Sequence, residues 1–252
     1  MKQQNFYRIL FYGIGLLVLA MGLTLNTKTG LGVSPIISVA YSIAEISGHN
    51  FGNMTLALYS TFVVIEMALH LIRGIRYEKA DGGALANAEK KEIKLILFMD
   101  FLQIPLSIVF TRFLNIFSAL IPQFYGEGES TAEEMAVRVG VLVFAIILTG
   151  IGAAMSLNMR IVPNPGDGIV QAIADTVGKS VGFTKNCFDL TNITIALMIS
   201  FAFAGQLVGV GAGTLLAMVG VGRTIAVFNH FTYEPMMSLA GQKAAASMLK
   251  NT

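Results

Sequence analysis

Gly30-Leu31-Gly32-Val33-Ser34-Pro35 interrupts a long apolar run and opens a short helical segment. A related interruption returns as Pro163-Asn164-Pro165-Gly166-Asp167-Gly168. The segments that follow, Ser34–Ser47 and Pro165–Val181, are too short and too polar for ordinary membrane spans. At about 1.5 Å per residue they reach roughly 20–25 Å, against a hydrocarbon core of about 30 Å. Ser34-Pro35 and Asn164-Pro165 each set a good N-cap before a proline at the first helical position. Irregular backbone at membrane depth is tolerated only against protein or a wet cavity, so the paired breaks govern how the rest of the chain is read.

Around them the chain is strongly apolar. Of 252 residues, 54% are hydrophobic and 13% charged, with a mean hydropathy of +0.68. That is too little charge for a soluble surface, and it points to an all-α polytopic membrane protein. Six segments are long enough to cross: Phe6–Asn26, Phe51–Ile72, Leu95–Ile121, Val137–Met159, Asn186–Ala204 and Leu207–Phe231. Pro105 is expected to kink the third. The first run, Ile9–Leu25, carries no A-x-A site and reads as a span rather than a signal peptide. The net charge of +2 is too small to suggest a nucleic-acid partner. The single cysteine, Cys187, excludes an intrachain disulfide and reads as a small packing residue.

Charge distribution orients the chain. The loop Arg73–Lys94 holds six basic residues, whereas Pro122–Ala136 holds four glutamates and no base. By the positive-inside rule the first is cytoplasmic and the second external, which places both termini inside. This layout is self-consistent only if the two short segments do not cross. Each short segment carries polar residues at every fourth position or nearly so: Ser34, Ser38, Ser42 and Glu45, then Asp167, Gln171, Asp175 and Lys179. They are either flat helices at the interface or re-entrant half-helices lining a cavity, and the capped glycine–proline breaks favour the second.

A shift of 134 residues lays one break on the other without gaps. Ala20-Met21 then meets Ala154-Met155, and Leu23, Gly32, Ala40, Gly48 and Leu56 meet Leu157, Gly166, Ala174, Gly182 and Leu190. The order span, break, short helix, span, span repeats. The expectation is a single membrane domain over residues 1–252 made of two three-span repeats, about 6–121 and 137–231. An odd number of spans per repeat would invert the second relative to the first. Secondary transporters recurrently use this plan, with the substrate site between the repeats.

Four segments carry a family resemblance: Gly30–Pro35, Leu102-Gln103-Ile104-Pro105-Leu106-Ser107, Pro165-Gly166-Asp167-Gly168-Ile169-Val170 and Gly209-Val210-Gly211-Ala212-Gly213-Thr214. With them the chain resembles the YczE/YyaS/YitT family of bacterial integral membrane proteins, its DUF6198-type branch above all. The resemblance implies a multi-pass protein of the bacterial cytoplasmic membrane with a repeated helical fold, and it implies no known substrate. Longer relatives carry a soluble C-terminal domain. This chain stops soon after Phe231, and ligand sensing by such a domain is not expected.

Several residues are candidates for chemistry. Glu66, Asp100, Asp189 and Arg223 fall in apolar runs, where a charge costs about 2.5–3.5 kcal/mol at the membrane centre and should find a partner. Asp100–Arg223 or Asp189–Arg223 is expected as a clamp or gate. Asp167 opens the second short helix, where a carboxylate suits the positive dipole end, and reads either as a cap or as a cation or proton site. The first short helix opens on Ser34 with no acid and could receive an anion, so the asymmetry suggests a polar or zwitterionic solute. The candidate binding set is Gly32, Ser34, Ser38, Asn164, Asp167, Gly168, Gln171 and Asp175, with Asp100, Asp189 and Arg223 as an intramembrane charge network.

Gly205, Gly209 and Gly213 are spaced by four, as are Gly48 with Gly52 and Gly178 with Gly182, a pattern of close helix packing. His49, His70 and His230 are spread along the chain with no cysteine near, so no metal site and no cofactor is expected. The absence of H-E-x-x-H, G-x-S-x-G and P-loop patterns argues against an enzyme. The expected function is a secondary transporter or channel for a small polar solute or ion. The alternative is an accessory membrane protein assisting a biosynthetic or secretion complex. Membrane lipids and the solute are the expected partners, and the helices are compatible with a homo-oligomer.

Overall fold

The computed structural model describes residues 2–80, 86–126 and 131–241. Among them the chain is all-helical, with eight helices: α1 (Lys2–Lys28), α2 (Pro35–Ser47), α3 (Phe51–Ala80), α4 (Ala86–Leu120), α5 (Ala132–Asn158), α6 (Pro165–Val177), α7 (Val181–Ala204) and α8 (Ala212–Leu239). Six of these are long and apolar enough to cross a membrane, as the hydropathy pattern predicts, and α2 and α6 are not. Large apolar side chains such as Phe203, Phe231 and Leu120 stand exposed on the long helices, a surface suited to lipid. The protein is therefore a multi-pass membrane protein. Of the two loops used to orient it, residues 81–85 and 127–130 lie outside the described residues.

Local chemistry sets the helix ends. Thr131 caps α5 through its side chain, which accepts from Glu134 N (3.2 Å), and Glu134 Oε2 returns the bond to Thr131 N (3.0 Å). Ser180 caps α7. Gly178, in the left-handed region at φ +66°, ends α6 before the Val181 expected from the sequence. Gly205 (φ +66°) closes α7, and α8 begins at Ala212 rather than Leu207. The four-residue glycine spacing therefore marks a break here, not one helix face. The two prolines do not end their helices: α4 runs through Pro105 and α8 through Pro235 to Leu239. Long, short, long, long is the order of α1–α4 and again of α5–α8.

The helices gather into two compact units. The first holds α1, α5, α8 and the end of α4 from Phe113; the second holds α2 from Ile36, α3, α4 up to Arg112, α6 and α7.

In the first unit α1 and α5 pack most extensively, and glycines set their separation. A Cβ on Gly22 would stand 2.5 Å from Thr149 N, and one on Gly15 would stand 2.8 Å from Ser156 N; one on Gly152 would overlap Leu19 N. Lipid offers helices no hydrophobic drive to associate, so small residues that admit close backbone contact supply the attraction. At the far end Arg8 caps the finish of α5, donating to Met159 O (2.8 Å) and Arg160 O (2.7 Å). As α1 advances from Arg8 to Gly22, its partners retreat from Arg160, just past the end of α5, to Thr149 on α5, so the two helices run antiparallel. The contacts are also reciprocal: under the 134-residue offset Gly15–Ser156 becomes Thr149–Gly22, and both are present.

The first break lies in this unit too, and its backbone is accounted for. Leu31 O accepts from Gly213 N (2.8 Å), and Val33 N donates to Gly209 O (2.9 Å). Gly32 adopts φ +113°, and a Cβ there would lie 2.6 Å from Gly211 N and from Thr214 Oγ1. Glycine is required on both counts. Arg138 Nε donates to Thr29 O (2.8 Å) with the guanidinium 5.6 Å from the Tyr125 ring centre. The unwound segment thus exchanges its main-chain bonds with the α7–α8 connection, as low-dielectric surroundings demand.

Candidate functional site

The second break lies in the second unit, and buried polar groups collect around it. Asn164 organises the start of α6. Its side chain accepts from Gly166 N (3.1 Å), and its carbonyl accepts from Asp167 N (2.8 Å) and Gly168 N (2.9 Å). Tyr59 of α3, almost fully buried, lies within electrostatic reach of Asn164 and Asp167. Asp167 is half-buried and within electrostatic reach of Lys185 and Asp189 on α7.

Next to this lies a cluster from α3 and α4. Glu66 and His70 are one helical turn apart on α3, and Asp100 and Gln103 are three residues apart on α4, so each pair projects from one face. His70 Nδ1 and Asp100 Oδ2 are 2.8 Å apart, and Gln103 Nε2 donates to Glu66 Oε1 at 3.0 Å. One potential ligand atom from each of Glu66, His70 and Asp100 lies within 4.8 Å of the others. Glu66 is 2% exposed, and its second oxygen, Oε2, has no hydrogen-bond partner. Gln103 Oε1 and, on α7, Asp189 Oδ1 are likewise buried and unpartnered. An orphaned buried acceptor costs about 1–3 kcal/mol, so such atoms call for a donor, a water or a cation. The cluster abuts α6 directly: a Cβ on Gly168 would lie 2.6 Å from Glu66 Oε2.

The expected binding residues divide among several environments. Asn164, Asp167 and Gly168 sit at the polar focus. Ser34 and Ser38 are buried along α2. Gly32 serves the main-chain pairing of the first unit. Gln171 and Asp175 are exposed, where Gln171 Nε2 donates to Asp175 Oδ1 (2.8 Å) and Arg73 Nη1 to Asp175 Oδ2 (3.0 Å). Where α2 and α6 begin, Ile36 fills the space over Gly166, its Cδ1 lying 2.9 Å from a would-be Cβ. An apolar side chain therefore stands between the two half-helix starts, with buried serines along α2 and the buried acid Glu66 beside α6.

The charge network needs correction. Asp100 pairs with His70, and Asp189 takes Lys185 Nζ at 2.6 Å. Arg223 is exposed on α8. Lys185 was passed over because it precedes the apolar core of α7, yet at i−4 its long stem brings the ammonium back to Asp189. Cys187 is exposed on α7 rather than packed. The expectation of no metal cluster rested on the spread of histidines along the chain, and folding brings His70 to Glu66 and Asp100. The available signal was the four-residue spacing of Glu66 and His70 within an apolar span.

No solved structure matches the chain. It is similar to the uncharacterized protein YyaS of Bacillus subtilis (strain 168), 22% identical over 221 residues that cover 88% of this chain and 92% of that protein. The model of a family of unknown function, DUF6198, matches residues 6–230, nearly the whole length. The glycine–proline breaks and the helical order around them are thus those of a membrane protein that belongs to the DUF6198 family.

Proposed function

We propose that this chain is a secondary transporter or channel for a small polar solute or ion, built from two inverted repeats in a bacterial cytoplasmic membrane with both termini in the cytoplasm. The observation that carries the reading is the buried carboxylate of Glu66, one oxygen unpartnered, lodged against Gly168 in the first turn of a helix too short to span. Charges inside a membrane protein are costly, and they are retained where ions or solutes are handled. The antiparallel α1–α5 pair, with its reciprocal Gly15–Ser156 and Gly22–Thr149 contacts, supports inversion of the repeats. On this reading Asp167, Asn164 and Tyr59 form the solute-facing end of the site.

Proteoliposomes loaded with a pH-reporting dye test this. Pools of amino acids, organic cations, organic anions and metal salts are added in turn, and solute-dependent proton or charge movement is recorded. Wild-type protein should respond to at least one pool, and Asp167→Asn should lower that rate at least tenfold without changing the melting temperature. Silence to every pool by folded protein, or full-rate transport by Asp167→Asn, refutes the assignment. Orientation is read separately, by labelling Ser38→Cys and Gln171→Cys on a Cys187→Ser background from each side of the membrane.

A further inference from the structure

We propose that Glu66, His70 and Asp100, with the Gln103 carboxamide oxygen beside them, bind one divalent first-row transition-metal ion. Three independent features lead there. Position comes first: one ligand atom from each of the three residues lies within 4.8 Å of the others. Bonds of about 2.0–2.2 Å at a tetrahedral angle put ligand atoms about 3.5 Å apart, so small side-chain adjustments close the cluster on an ion. Unmet demand comes second. Glu66 Oε2 and Gln103 Oε1 are buried without partners, and both are lone-pair oxygens that a cation satisfies and an anion does not. Gln103 already directs its amide nitrogen at Glu66 Oε1, which leaves its oxygen as the free end.

Charge balance is third. Two carboxylates meet a single imidazole here, while the Lys185 ammonium is engaged by Asp189. A divalent ion neutralises such a pair inside a membrane protein, where an uncompensated charge costs several kcal/mol. The ligand set also selects the metal. Calcium takes six to eight oxygens, and magnesium keeps most of its waters; an imidazole with carboxylate oxygens and no thiol suits Zn²⁺, Mn²⁺ or Fe²⁺. The 2.8 Å contact between His70 Nδ1 and Asp100 Oδ2 already holds two of the three ligating groups together.

The metal site shares Glu66 with the transport reading, and measuring binding on purified protein in detergent keeps a failure of one distinguishable from a failure of the other. The full chain is stripped with EDTA, dialysed and titrated with Co²⁺, whose visible absorption reports nitrogen and oxygen ligation, and Zn²⁺ is then used to displace it. One saturable site per chain is expected, with Zn²⁺ displacing Co²⁺ and with excess Mg²⁺ or Ca²⁺ leaving it in place. Glu66→Gln and Asp100→Asn should each weaken Co²⁺ binding at least tenfold while melting in EDTA as the wild type does. His70→Gln, at a less buried position, supplies the same comparison where an acid variant melts early. Glu45→Gln and His49→Ala, both at exposed positions, should bind as the wild type does. The proposal fails if folded wild type shows no saturable Co²⁺ site, if the acid and His70 variants bind normally, or if His49→Ala abolishes binding.

Discussion

Gly22→Ala offers the sharpest test of how the first unit is held together. The new Cβ would stand 2.5 Å from Thr149 N, 2.6 Å from Thr149 Oγ1 and 2.9 Å from Ala145 O. Two of these three atoms are backbone on a continuous helix, so a rotamer change cannot relieve the clash. Restoring an ordinary contact of about 3.4–4 Å requires α1 and α5 to part by about 1 Å. A gap of that size forfeits a quarter to a half of each facing dispersion contact. It also strains the bonds from Arg8 to Met159 O and Arg160 O, which span the same pair of helices. Overpacking of this kind costs about 1–3 kcal/mol. Helix propensity acts in the opposite direction, because alanine is favoured over glycine by up to about 1 kcal/mol.

Gly13→Ala separates the two effects, since nothing lies within 4 Å of a Cβ there. Helix loss on heating, followed by circular dichroism in one detergent, should rank Gly13→Ala at or above wild type and Gly22→Ala well below it. Gly15→Ala should resemble Gly22→Ala, because the offset of the repeats exchanges their contacts. A Gly22→Ala protein as stable as Gly13→Ala would refute the close-packed glycine interface, and with it the reciprocity of the two helices.

Three further substitutions probe the other features. Gly168→Ala drives its Cβ into the Glu66 carboxylate, so Co²⁺ affinity should fall at least tenfold, while Gly182→Ala, with open space around it, should bind as the wild type does. Lys185→Met strands the buried Asp189; the lysine is partly exposed, so the loss should be about 2–4 kcal/mol by thermal unfolding, mostly recovered in Lys185→Met/Asp189→Asn. Arg138→Gln removes the bond to Thr29 O and the stacking on Tyr125, and should cost about 1.5–3 kcal/mol and speed amide exchange at Gly30–Val33.

Sequence reading reached the helices and not their partners, for a physical reason. Six spans and two short helices follow from hydropathy and from glycine and proline, which act within a few residues. Asn164 as the cap of α6 and Asp167 in its first turn are legible because cap chemistry is local. Arg223 was assigned a carboxylate because long-range pairing was guessed from depth alone. Asp189 had already found Lys185 four residues away, and Asp100 found His70 across thirty. Gln103 was quoted only as part of a motif, since an amide in an apolar span announces nothing until an acid faces it. The glycines at 205, 209 and 213 looked like a helix face because spacing cannot distinguish a ridge from a break. The left-handed turn at Gly205 and the main-chain bonds to Leu31 and Val33 make the distinction.

The sign of charge that the second unit favours follows from which polar atoms are still uncommitted. A half-helix start ordinarily attracts anions through its free amide groups. At α6 those amides are taken: Gly166, Asp167 and Gly168 all donate to Asn164. Among the described residues of this unit, the buried side-chain atoms left without partners are Glu66 Oε2, Gln103 Oε1, Asp189 Oδ1 and Thr184 Oγ1, three of them acceptors only. Of the four buried charged residues among those described, Glu66, Asp100 and Asp189 lie in this unit and Arg138 in the other. Such an arrangement disfavours an anion and favours a cation. A solute carried here should therefore bear positive charge, and the organic-cation or metal pool should respond in the liposome assay. A response confined to the organic-anion pool would mean that these oxygens face away from the transported species.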